Sequence, residues 1–219
     1  NYRNNLIVSA NLINECITYG TKVIFTSSMA VYGDQTPPFT EDKRPQPIDP
    51  YGIAKYAVEC DLKLAHEQFG LRYNIVRPHN VLGIYQNIWD RYRNVIGIFI
   101  RKALNGQPIL IYGDGEQTRA FSDIKYYMEP FDKLLTGHDS ETFNIGADKH
   151  FTLNEVAMTV QTIAAKYGYH VDIEHGEPRH EAKHAYCDHT KAKTVLNFED
   201  NTNLAELIES MFVWAMKQP

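Results

Sequence analysis

Between Val23 and Val76 the chain passes from a short β-branched run through a proline-rich stretch and a long helical pattern into a second β-branched run. That succession leaves few folds open. Lys22-Val23-Ile24-Phe25-Thr26 lacks polar alternation and predicts a strand buried on both faces. Pro37, Pro38, Pro45, Pro47 and Pro50 make 33–50 a loop. A helix over Tyr51–Phe69 closes at Gly70, and Tyr73-Asn74-Ile75-Val76 is the next strand, stopped at Arg77-Pro78. Strand, helix and strand in this order favour a parallel sheet with a right-handed crossover. Leu6, Val8, Leu12, Ile13 and Ile17 give an earlier helix one apolar face, ending at Tyr19-Gly20.

After Pro78 the rhythm loosens. Residues 80–94 read as a polar and aromatic loop, Val95–Leu104 as a helix, Pro108–Tyr112 as a strand, and Gly113-Asp114-Gly115 as a turn. Phe143-Asn144-Ile145-Gly146 is a short strand, Leu153–Tyr167 and Leu204–Lys217 are helices, and a strand lies near His170–Glu174. The expected organisation is an α/β core over 1–78, revisited at about 118–147, with a smaller α+β lobe from about 79–117 and 148–219.

Composition narrows the function classes. A net charge of −5 in 219 residues provides no basic field for nucleic acid or anionic lipid. No apolar run reaches the ~18–20 residues that span a bilayer. Three widely spaced cysteines, Cys16, Cys60 and Cys187, are not a disulfide framework, and a reducing cytoplasm is the expected compartment.

Ser27-Ser28 ends a buried strand, where parallel sheets place ligands. Tyr51 and Lys55, at i and i+4, share a helix face. A tyrosine of pKa ~10 is a poor base at neutral pH, and a nearby ammonium lowers that value enough for acid–base work. Taken alone, the same residues also read as a helix surface pair and a strand cap.

The full strings decide between these readings. Val23-Ile24-Phe25-Thr26-Ser27-Ser28-Met29-Ala30-Val31-Tyr32-Gly33 followed by Pro50-Tyr51-Gly52-Ile53-Ala54-Lys55 resembles the extended short-chain dehydrogenase/reductase family, in particular its nucleotide-sugar 4-epimerases. Arg77-Pro78-His79-Asn80-Val81, Gly106-Gln107-Pro108, Ile111-Tyr112-Gly113-Asp114-Gly115, Gln117-Thr118-Arg119 and Phe143-Asn144-Ile145-Gly146 continue the resemblance in order. It implies a partial Rossmann-like parallel sheet with a smaller substrate-binding lobe, and NAD-dependent oxidation at sugar C4. In that scheme Tyr51 takes the hydroxyl proton, Ser28 holds the carbonyl oxygen, and Lys55 lowers the tyrosine pKa and binds the nicotinamide ribose. Asn4, Ser27, Pro78 and His79 join Tyr51 and Lys55 around the cofactor. Asn80, Asn94, Tyr112, Arg119, Arg179 and Glu181 join Ser28 around a UDP-sugar, with arginine suited to a diphosphate by its planar fork.

Met29 and Ala30 stand where the family's dehydratases carry an Asp-Glu pair and its decarboxylases a glutamate. Neither residue transfers protons, so epimerisation of a UDP-hexose or UDP-N-acetylhexosamine, or reduction of a 4-keto sugar, is expected ahead of dehydration. Ala185, where the epimerases often place a tyrosine, leaves room for an N-acetyl group. The glycine-rich phosphate loop of the family, Gly-x-x-Gly-x-x-Gly, is absent, and the resemblance places it with the first strand ahead of Asn1. That absence also suggests a non-catalytic nucleotide-sugar-binding remnant. The family's dimers pair two helices per subunit into a four-helix bundle, for which 6–17 and 51–69 are the candidates. His175, His180, His184, Cys187 and His189 crowd one segment with zinc-like spacing. With no second ligand pair elsewhere, these histidines are expected on a solvated lobe, with no metal.

Overall fold

The computed structural model describes residues 3–90, 94–178 and 183–218. The chain divides into two compact units. The first holds residues up to His79, with Tyr126–Asp148 and Ala185–Glu199. The second holds Asn80–Lys125, Lys149–His184 and the chain from Asp200 onward. The segment 185–199, read from the sequence as part of the smaller lobe, packs with the first unit.

In the first unit, strands Val23–Thr26, Tyr73–Pro78 and Glu141–Ile145 lie side by side, all parallel. Tyr73–Pro78 is central and buried up to its last residue, as a strand covered on both faces must be. Helices Val8–Tyr19 and Pro50–Phe69 bury Ile13, Cys16, Val58, Leu62 and Ala65 against Val23, Tyr73 and Ile75. Burying such side chains is worth ~1.5–3 kcal/mol each. Both helices end at the expected glycines, Gly20 and Gly70. The first begins at Val8, after a π-helical turn over Arg3–Ile7.

The central strand runs two residues beyond the expected stop. Arg77 continues it because a buried carboxylate meets its charge, and Pro78, which has no N–H to donate, ends it. Helix Met128–Thr136 has no counterpart among the sequence-based expectations; its Pro130 lies in the first turn, where a missing N–H is not needed.

In the second unit, helices Val95–Leu104, Leu153–Lys166 and Leu204–Ala215 pack around Phe99, Ile100, Val156, Val160, Met211 and Phe212. A parallel pair, Ile109–Tyr112 with Ile173–Gly176, lies beside them. The second of these strands starts three residues after the expected position. Thr152 and Glu155 form a reciprocal capping box that fixes the start of the middle helix.

Candidate active site

The carboxyl ends of the three parallel strands fall at Thr26, Pro78 and Ile145, on one edge of the first unit. Ser28 follows the first of them and caps a short 3-10 turn, Met29–Tyr32, accepting from the Ala30 N–H at 3.2 Å. Asp49 caps the helix Pro50–Phe69 by accepting from the N–H groups of Tyr51 (2.7 Å) and Gly52 (2.8 Å). The two turns are in close contact: a Cβ on Gly52 would lie 2.6 Å from the Ala30 carbonyl oxygen. Only a glycine lets the helix start this near Ser28. This brings the Ser28 hydroxyl near enough to the Tyr51 phenol to exert a downward pull on its pKa.

Lys55, one turn further on, donates from Nζ to the Thr26 carbonyl oxygen at 2.8 Å. The same Nζ lies 4.8 Å from the Phe25 ring centre and 5.8 Å from that of Tyr51. The three residues thus converge on the strand edge. Their electrostatics correct one expectation: the Tyr51 pKa is not lowered but raised. Partial burial pushes it up, the nearby Ser28 hydroxyl pulls it down by less, and Asp49 adds to the rise. Burial also lowers the Lys55 pKa, weakening the ammonium that was to stabilise the phenolate.

Behind this edge runs a buried polar network that the sequence reading did not contain. Ser27 is 2% exposed and donates to Glu59 Oε1 at 2.5 Å. Arg77 donates to the same carboxylate twice, Nε to Oε1 at 2.9 Å and Nη2 to Oε2 at 2.6 Å. Its Nη1 donates to Tyr32 Oη (2.7 Å), which donates to Asn144 Oδ1 (2.8 Å). Ser27, assigned to the cofactor by resemblance, therefore turns its hydroxyl inward. The available signal was Arg77 at the end of an apolar strand, because a buried guanidinium demands a carboxylate.

Asn4 lies exposed in the π-helical turn. Pro78 ends its strand, and the buried His79 side chain faces His189, its Nε2 2.9 Å from the other ring's Nε2. Cys187 and His189 are themselves buried, so the expectation of solvated histidines holds only for His175 and His184.

In the second unit, Tyr112 lines a cavity of about 860 Å³ with Asp114, Gln117, His175 and Lys183. Gln117 Nε2 donates to the Tyr112 carbonyl oxygen at 2.9 Å, and His175 Nδ1 lies 2.8 Å from that of Gly113. Arg119 bonds the Thr118 and Lys183 carbonyl oxygens at 2.8 and 3.3 Å. Asn80 donates to the Ala120 carbonyl oxygen at 2.9 Å, and Asn94 caps Val95–Leu104 through the Gly97 N–H at 3.0 Å. Arg179, His180 and Glu181 lie outside the described residues.

A family model described as the NAD dependent epimerase/dehydratase family matches residues 1–146. The UDP-glucose 4-epimerase of Thermotoga maritima, solved with UDP-glucose, is 32% identical with a TM-score of 0.87, over 97% of this chain and 69% of that one. The UDP-N-acetylglucosamine 4-epimerase of Methanobrevibacter ruminantium is 30% identical with a TM-score of 0.89, over 99% of this chain and 70% of that one. The UDP-N-acetyl-alpha-D-glucosaminuronate decarboxylase of Bacillus cytotoxicus is 32% identical over 93% of this chain and 66% of its own length. The chain thus spans about two-thirds of the proteins it matches.

Proposed function

The chain belongs to the NAD dependent epimerase/dehydratase family, and from that premise we propose that the protein is an NAD-dependent nucleotide-sugar 4-epimerase. Its substrate is a UDP-hexose or UDP-N-acetylhexosamine, passing through a transient 4-keto sugar. The observation that carries this reading is the meeting of Ser28, Tyr51 and Lys55 at the carboxyl edge of a parallel sheet. There the helix start at Gly52 abuts the turn that Ser28 caps, and Lys55 reaches the Thr26 carbonyl oxygen.

The residues at that edge suit the nicotinamide half of NAD. Lys55 is partly exposed with three donors, one of them on the Thr26 carbonyl oxygen, and can hold a ribose hydroxyl with the others. When bound, NAD supplies the hydride acceptor and a cationic ring. The rest falls to the chain. Tyr51 Oη takes the proton of the C4 hydroxyl and later returns it. Ser28 Oγ holds the same oxygen as it becomes a carbonyl. Lys55 keeps its charge close to both. Because burial and Asp49 raise the Tyr51 pKa, the phenol gives up its own proton only with added positive charge nearby. Only then is it the phenolate that can take a proton from the C4 hydroxyl, which ties its basicity to a loaded site.

Tyr112, Arg119, Asn80 and Asn94, with Arg179 and Glu181, are proposed to hold the nucleotide-sugar. The cavity beside Tyr112 supports a nucleotide there. The likeness to a decarboxylase gives a second reading some weight, and so does reduction of a 4-keto sugar. Against decarboxylation and dehydration, Met29 and Ala30 follow Ser28 and cannot transfer protons. A non-catalytic remnant is disfavoured by the converged Ser28, Tyr51 and Lys55. Exposed Val8 and Leu12 on one helix and Ile53, Leu64 and Phe69 on another support a homodimer through a four-helix bundle. No helix among the described residues is long and apolar enough to cross a membrane, and the cytoplasm is the proposed compartment.

The test is conversion of UDP-glucose and UDP-N-acetylglucosamine to their C4 epimers with catalytic NAD. A requirement for stoichiometric NAD(P)H would favour the reductase. Binding of UDP with no turnover would favour the remnant.

A further inference from the structure

We propose that His79, Cys187 and His189 form a binding site for one zinc ion inside the first unit. The donor atoms of the three side chains lie within 4.8 Å of one another, and all three residues are buried, at 2%, 5% and 2% exposure. Two imidazoles and a thiol are a donor set that zinc favours.

The surroundings are those of a ligand set. Asp148 Oδ1 lies 2.9 Å from His189 Nδ1, which fixes the proton on Nδ1 and turns the Nε2 lone pair toward His79 and Cys187. A carboxylate behind a histidine in this way orients metal-binding imidazoles. Lys193 anchors the other oxygen of Asp148. Gly146 makes the space: a Cβ there would lie 2.0 Å from His79 Nε2, so any other residue would drive that ring from its partner. Cys187 is fixed through its backbone, which pairs with that of Phe39.

The two histidine nitrogens fit with a small adjustment, and the Cys187 sulfur, within 4.8 Å of both, must close in to bind the ion at ~2.3 Å. The two Nε2 atoms stand 2.9 Å apart with nearly coplanar rings. Two nitrogens on a tetrahedral zinc at ~2.0–2.1 Å are about 3.3 Å apart, so the rings must part by about 0.4 Å. Without metal, the short contact is a proton shared between the imidazoles. On binding, His79 presents its Nε2 lone pair with its proton on Nδ1. The Cys187 thiol forms a thiolate–zinc bond, and its proton leaves to solvent. The thiolate and Asp148 then set two negative charges against the ion. Water completes the fourth position.

The experiment is independent of NAD and of turnover. The protein is stripped with chelator. One portion is incubated with excess zinc, freed of unbound metal by gel filtration and its zinc measured by mass spectrometry, and another is titrated with cobalt(II) and followed by absorbance. One equivalent of zinc per chain and a thiolate-to-cobalt band are expected. Cys187→Ser should abolish the band, and Asp148→Asn should weaken binding ~10–100-fold. Less than a tenth of an equivalent in the folded wild-type chain, or a band that survives in Cys187→Ser, overturns the site. A wild-type chain without metal would leave the pair as a buried proton bridge.

Discussion

Arg77 and Glu59 meet as a two-pronged pair with side chains 1% and 0% exposed, joining the central strand to the helix that carries Tyr51 and Lys55. Each charge is compensated by the other and by further donors or acceptors on Ser27 and Tyr32. The pair therefore links the strand edge to the helix of Tyr51 and Lys55, and its value lies in completeness. Glu59→Gln leaves a buried guanidinium without its counter-charge. It should lower unfolding free energy by ~3–5 kcal/mol, read from a denaturant midpoint. Glu59→Met with Arg77→Met removes both charges and should recover most of that loss.

Tyr51→Phe removes one oxygen from a residue whose ring can stay in place. Turnover of UDP-sugars should fall by ~10²–10⁴, with thermal stability close to wild type. Ser28→Ala should lower turnover less, because Tyr51 remains. Epimerisation at wild-type rate by Tyr51→Phe would remove this residue from the chemistry.

Gly52→Ala tests how the hydroxyls are brought together. The added methyl would meet the Ala30 carbonyl oxygen at 2.6 Å, a backbone atom that no side-chain rotation can move aside. The helix start must then move away from the 3-10 turn, at ~1–3 kcal/mol. The expected outcome is a lower melting temperature together with a fall in kcat larger than any change in UDP affinity, which isothermal titration can separate.

Much of the first unit was legible because its elements follow local rules. Val23–Thr26 is continuously apolar up to its last residue, and Pro50–Phe69 has Asp49 as cap, proline in its first turn and glycine as stop. Ser28, Tyr51 and Lys55 stood out only through the longer strings that resemble the family, since helix spacing by itself fits a surface pair equally well. What escaped was decided by tertiary partners. Glu59 looks like any helix-surface glutamate until Arg77 arrives 18 positions later in the sheet. His79 and His189, 110 residues apart, have no local signal of their pairing. The direction of the Tyr51 shift also depends on burial, which neighbouring residues in sequence do not report.

The dimer proposal rests on side chains that the first unit leaves bare. Leu12 is 56% exposed and Leu64 51%, on the two helices that pack together over the sheet. Leu12→Glu and Leu64→Glu together should convert a dimer into a monomer by light scattering while leaving the circular dichroism unchanged. A monomeric wild-type protein would overturn the bundle.

Lys55 predicts a pH dependence of stability with a definite sign. Its folded pKa lies below the unfolded value of ~10.4, because burial disfavours the ammonium. Below the folded value both states hold the proton, and the folded state bears the cost of a desolvated charge. As pH rises through that value the folded state releases its proton first, so the unfolded state binds more and stability increases up to ~10.4. Tyr51 acts oppositely above ~10, where the unfolded phenol ionises while the partly desolvated folded one stays neutral and stability falls. Urea midpoints measured from neutral to alkaline pH should therefore rise less steeply in Lys55→Met than in wild type, and fall less at the alkaline end in Tyr51→Phe. Parallel curves for wild type and Lys55→Met would mean that this amine is not desolvated in the folded chain.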